Sequence, residues 1–125
     1  MFPRNTKKSV FSKDTVLLPL KDIEISKQIG TDCIEIHTGH FSNLVKSNKK
    51  YSNELSKIKK SSIIASKFGI EVHAGHGLDY KSTRILSNIP SIKEFNIGHF
   101  LIGESIFYGL FSVIKKFKKI LKKKK

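Results

Sequence analysis

The sequence predicts an α/β fold of parallel strands alternating with helices, about half of a (β/α)8 TIM barrel. Three observations predict it. Short apolar runs suited to buried strands alternate with segments of helical periodicity about four times, and that rhythm implies a parallel sheet. The chain has 125 residues, enough for one domain with a core but well short of the ~250 that a complete barrel takes. All five histidines fall in three short segments, each a strand end followed by glycine, and strand C-terminal ends are where parallel α/β proteins gather their chemistry.

Taken in order, residues 1 to about 14 are polar and basic with Pro3 near the start, and form an atypical segment expected to be poorly ordered. Val16, Leu17 and Leu18 make a short apolar run that ends at Pro19, as a buried strand before a turn does. Residues 20–29 read as a short helix, with Ile25 and Ile29 four apart and Gly30 as its stop. Residues 32–39 are a strand candidate. Residues 53–68 place Leu55, Ile58, Ile63, Ile64 and Phe68 near one helical face, closed by Gly69. Residues 70–74 read as a strand that breaks into the loop Gly75-His76-Gly77-Leu78, and 82–87 as a short helix ahead of Pro90. A strand at 94–97 opens into Gly98-His99. Beyond it Ile102, Ile106, Leu110, Val113, Phe117 and Leu121 recur every three or four residues and predict one long amphipathic helix. Residues 15–121 thus form a partial barrel domain, with 122–125 a lysine tail.

The net charge of +14 invites a nucleic-acid or membrane-surface reading. Its distribution argues against both. Eight lysines lie in the last eleven residues, leaving +6 for the rest of the chain, and only Arg4 and Arg84 are arginine. Arginine is the residue whose planar fork recognises phosphate and guanine bidentately. A solvated tail fits this pattern better, so neither nucleic acid nor membrane is the expected partner. Cys33 is the sole cysteine, no apolar run spans ~20 residues, and the first residues lack a secretory signal's apolar stretch. The expected location is the cytoplasm.

Glu35 stands between Ile34 and Ile36 in an apolar strand, so in a barrel it points inward, where burial raises the cost of its charge. It could form a proton-transfer pair with His37; a structural ion pair is the bland alternative. Around His76 two glycines let backbone approach a ligand and leave the imidazole exposed, although a turn with an incidental histidine has the same sequence. Gly98 and His99 precede the last predicted helix, whose N-terminal amides suit a phosphate. The spacings His37/His40 and His73/His76 are those of zinc ligands, but the loops hold no Asp or Cys to complete a site and their glycines favour an anion. No metal is expected there.

The segments Cys33-Ile34-Glu35-Ile36-His37-Thr38-Gly39, His73-Ala74-Gly75-His76-Gly77-Leu78 and Glu94-Phe95-Asn96-Ile97-Gly98-His99, followed by Ile102-Gly103-Glu104-Ser105-Ile106, resemble the successive signatures of the pyridoxine 5′-phosphate synthase family, in its C-terminal half. The resemblance implies a (β/α)8 barrel with extra helices. It also implies condensation of 1-deoxy-D-xylulose 5-phosphate with 3-amino-2-oxopropyl phosphate into pyridoxine 5′-phosphate, a step of vitamin B6 biosynthesis that needs no metal or organic cofactor. By the same resemblance His76 is the proton donor, Glu35 stabilises the transition state, and Gly77, Gly98 and His99 hold the amino-ketone phosphate. The family's Asn-x-Asp-His-type strand, its basic histidine, glutamate base and substrate-gripping arginines have no counterpart here. A truncated or split synthase with little activity alone is therefore expected, with a chain supplying the first half of the barrel as its partner and self-association through uncovered surfaces. The alternative is a non-catalytic basic module that binds phosphate-bearing ligands or nucleic acid.

Overall fold

The structure is a computed structural model, which describes residues 20–122 and the backbone of the strand Ser9–Phe11. The strand expected at 16–18 and the last three lysines lie outside the described residues. The elements run β1 (Ser9–Phe11), α1 (Leu20–Gln28), β2 (Cys33–His37), α2 (Gly39–Lys46), α3 (Ser52–Lys67), β3 (Glu71–Gly75), α4 (Tyr80–Leu86), β4 (Ile92–Asn96), α5 (His99–Tyr108) and α6 (Leu110–Lys122). The strands form one parallel sheet in the order β1-β2-β3-β4. Sequential order without reversal is how a barrel winds; a doubly wound sheet would double back past its first strand. β1 lies inside the segment expected to be poorly ordered, and its backbone pairs with Cys33, Ile34 and Glu35.

Each strand turns alternate residues to opposite faces. One face, with Ile34, Ile36, Val72, Ala74 and Ile92, packs under the helices against Ile23, Phe41, Val45, Ile58, Ala65 and Leu86. Burying such a side chain contributes about 1.5–3 kcal/mol, so this face sets the register. The other face is polar and carries Glu35, His37, Glu71, His73, Glu94 and Asn96. That division suits a sheet curling round an interior.

Three helical segments differ from expectation. α2 was not anticipated, because Gly39 and His40 at its start read as loop; Phe41 and Val45, four apart, bury its inner face. The long final helix is two helices. Gly109, at φ 80° and ψ 142°, ends α5, and α6 starts afresh. The apolar spacing carries on through the break, so periodicity could not show it. In α6 the buried residues are Val113, Phe117 and Ile120, whereas Ile102, Ile106 and Leu110 are exposed and do not continue the stripe inward. α4 begins at Tyr80, earlier than expected, because Asp79 caps it: its Oδ1 accepts from the Ser82 backbone N–H at 2.7 Å, and Ser82 Oγ accepts from the Asp79 N–H at 2.9 Å.

The β3–β4 pairing holds an irregularity that matters for function. Val72 pairs with Ile92, but His73 pairs with Glu94, so Lys93 is an extra residue in β4. Without this bulge Lys93 would face His73 and Glu94 would turn to the helices. With it, Glu94 and Asn96 reach the polar face.

Candidate active site

The site forms where β2, β3 and β4 end. Thr38 is fully buried just before α2, in the position from which a threonine usually caps a helix. Its hydroxyl is used elsewhere. It is shared between the Gly75 carbonyl at 2.7 Å and the His76 carbonyl at 2.9 Å, while the Thr38 N–H donates to Gly75 O at 2.8 Å. Three contacts therefore tie the end of β2 to the loop after β3. That loop is strained: His76 has φ 79° and Gly77 φ 72°, a left-handed pair in which only the glycine is at ease.

The backbone so held aims the His76 ring at His37, with centroids 4.2 Å apart and planes inclined by 26°. Two glycines make the room. A Cβ on Gly39 would lie 2.7 Å from His37 Cε1 and 2.8 Å from His76 Cδ2, and a Cβ on Gly75 would lie 2.6 Å from Glu35 Oε1. The Glu35 carboxylate thus leans over Gly75, where the Asn96 side-chain amide donates to it. Burial holds the His37 pKa below its ordinary value, the neighbouring His76 lowers it further, and Glu35 opposes both. The Gly39 N–H points at His37 Nδ1 at 3.4 Å, and a backbone hydrogen bond of the ring also works to raise its pKa.

A cavity of about 480 Å³ opens beside this pair, lined among others by Lys46, His76, Gly77, Asn96, Gly98 and His99. Gly98 and His99 open α5, not the last helix as expected, and a Cβ on Gly98 would meet nothing within 4 Å, so the α5 amide end is open. Across the mouth, Tyr80 packs on Phe100 and Phe117 and carries the Lys116 ammonium 3.9 Å above its ring, fixing α5 and α6 against α4. Burial, then Glu104 and Tyr108, raise the Tyr80 pKa.

Of the residues singled out from sequence, His76, Gly77, Gly98 and His99 line this one cavity, and Glu35 reaches it through Asn96. His40 is exposed on a neighbouring cavity with His37 and Lys57. Glu35 hydrogen-bonds with Asn96 and His37 stacks on His76, while Glu35 stays close enough to His37 to act on its pKa. Thr38, Gly39, Asn96 and Lys46 were given no role, and Gly75 was picked out only as a loop glycine beside His76. An Asn two residues before Gly98, on a strand end, was the one visible hint.

Comparison with known proteins decides the family. A family model described as "Pyridoxal phosphate biosynthesis protein PdxJ" matches residues 9–123. The chain belongs to the PdxJ family. Among its curated relatives, the pyridoxine 5′-phosphate synthase of Pelagibacter ubique (strain HTCC1062) is 56% identical over 117 residues, covering 94% of this chain and 49% of the relative. That of Cereibacter sphaeroides (strain ATCC 17029 / ATH 2.4.9) is 42% identical over 98 residues, covering 77% and 39%, and that of Sulfurihydrogenibium sp. (strain YO3AOP1) 41% identical over 101, covering 81% and 41%. The chain spans about half the length, or less, of these PdxJ relatives. The PdxJ family is one of TIM barrels, in keeping with the sequential parallel sheet. Among the described residues no helix is long and apolar enough to cross a membrane.

Proposed function

We propose that this chain supplies the phosphate-gripping and proton-donating end of a pyridoxine 5′-phosphate synthase, which joins 1-deoxy-D-xylulose 5-phosphate to 3-amino-2-oxopropyl phosphate with no metal or organic cofactor in the reaction. The observation that carries the reading is the common cavity of His76, Gly77, Gly98 and His99, with Glu35 bonded to its wall at Asn96. In this reading the open amide end of α5, with His99 and Lys46, receives the amino-ketone phosphate, where helix dipole and cation both favour an anion. His76, exposed and on a rigid loop, donates a proton to the departing oxygen. Glu35 keeps its charge close to the positive nitrogen of the condensing amine, held in place by Asn96.

The chain alone is expected to turn over poorly. Ring closure needs several proton transfers, and positioning two phosphorylated substrates is itself worth ~7–11 kcal/mol, much of which the other half of a barrel would contribute. The test is product formation by the purified chain, by the chain mixed with a polypeptide carrying the first half of a PdxJ barrel, and by that mixture with His76→Ala. Activity that appears on mixing and disappears with the substitution supports the reading. Robust turnover by the chain alone, or turnover indifferent to His76→Ala, overturns it. Phosphate titration followed by NMR is expected to shift Gly98 and His99 first; shifts confined to the lysines of α6 would support a basic binding module instead.

A further inference from the structure

Below the cavity, the polar face of the sheet holds a second cluster that the proposed chemistry does not use. Strand register sets Glu35, His73 and Glu94 side by side in one row, but Glu35 leans away over Gly75 towards Asn96. His73 is left facing two other carboxylates. Its Nε2 lies 2.8 Å from Glu71 Oε1, two residues earlier on the same strand face, and 3.9 Å from Glu94 Oε2 on β4. Among the described residues these three are the one group whose ligand atoms all come within 4.8 Å of one another.

We propose that Glu71, His73 and Glu94 form a binding site for a divalent transition-metal ion of the zinc class. The distances permit it. With separations of 2.8, 3.9 and at most 4.8 Å, a point equidistant from the three atoms lies no more than about 2.4 Å from each, and zinc takes imidazole nitrogen and carboxylate oxygen at about 2.0–2.2 Å. A small rotation of the Glu94 side chain closes the difference.

The bulge in β4 presents Glu94 to this group, as it presents Asn96 to the polar face. The extra residue Lys93 is what brings a carboxylate, in place of an ammonium, opposite His73. All three ligands stand on strands, where backbone pairing fixes their spacing better than a loop would. The His73 side chain is 13% exposed and that of Glu94 58%, so an ion can reach the group in the chain on its own. Three protein ligands leave coordination positions for water, and the ion would pin β4 to β3 across the bulge. The zinc-like His-x-x-His spacings of the sequence are a different matter: His76 belongs with His37, not with His73.

The experiment uses the tag-free chain, titrated calorimetrically with Zn²⁺ and spectroscopically with Co²⁺. One ion per chain is expected, with saturable binding lost in His73→Asn and weakened by roughly tenfold or more in Glu94→Gln, as removal of an inner ligand should do. His76→Ala should leave the affinity unchanged. X-ray absorption of the zinc-loaded unmodified chain, which needs no variant to fold, should show a single imidazole among oxygen ligands. No saturable binding, binding indifferent to His73→Asn, or a spectrum with two imidazoles and loss of binding in His76→Ala would each overturn the proposal.

Discussion

Replacing Thr38 with valine tests whether the site is held by one hydroxyl. The two side chains are close in size, both are β-branched, and Thr38 is fully buried, so packing hardly changes. What goes is the hydroxyl bridging the Gly75 and His76 carbonyls at 2.7 and 2.9 Å. Its single proton is shared, so it counts as one hydrogen bond, net about 0.5–1.5 kcal/mol. Gly75 O retains the Thr38 N–H at 2.8 Å, whereas the His76 carbonyl loses this partner, at a further cost of up to about 1–3 kcal/mol where water cannot replace it. Together these come to about 0.5–4.5 kcal/mol, which lowers a urea midpoint by roughly 0.3–3 M. Equilibrium unfolding in urea measures that, and amide exchange reports whether His76 and Gly77 loosen ahead of the rest. Thr38→Ser keeps the hydroxyl and should recover most of the loss. A valine variant with the wild-type midpoint, or a serine variant as weak as valine, would refute the assignment.

Other expectations follow from the same geometry. Gly75→Ala should barely change stability, because the atoms its Cβ meets are the mobile end of Glu35, yet it should break the Asn96 contact and shift the Asn96 side-chain amide resonances. His76→Gly should stabilise the fold by about 1 kcal/mol by relieving the left-handed strain, measured by urea unfolding, while removing the proposed proton donor. Because His37 has a lowered pKa in the folded state, the unfolded chain takes up its proton first. Stability should therefore fall as pH drops below about 6.5 towards the folded value, and His37→Gln should flatten that part of a melting-temperature profile. Phe107 and Phe111, 81% and 80% exposed on either side of Gly109, should drive self-association, and sedimentation of a Phe107→Asp/Phe111→Asp variant should show less of it.

Fold class was legible because two signals agreed: β-branched residues alternating in 33–37 and 70–74, and left-handed glycines closing α1 and α3, Gly30 and Gly69. His76, Gly77, Gly98 and His99 could be picked out because chemistry-bearing residues beside glycine at strand ends are visible locally. What was not legible depends on neighbours distant in sequence. Thr38 reads as the tail of a strand, and only the loop 37 residues on claims its hydroxyl. Gly75 reads as a turn residue, but its φ is unremarkable and its need is for space beneath Glu35. Asn96 acquires a role from a partner 61 positions earlier, and from a bulge that no periodicity announces.

That bulge also bears on how the family's chains can vary in length. In a regular strand, losing one residue inverts every side chain after it and would turn Asn96 and Glu94 away from the interior. Here Lys93 is surplus to the pairing, so its deletion would straighten β4 while His73 still met Glu94 and Gly75 still met Asn96. β4 thus contains a position where the genetic text can shorten by one codon without scrambling which groups look inward. Inserting a residue between Glu94 and Asn96, by contrast, would reverse the outlook of Asn96 relative to Glu94 and separate the cavity wall from the cluster below it.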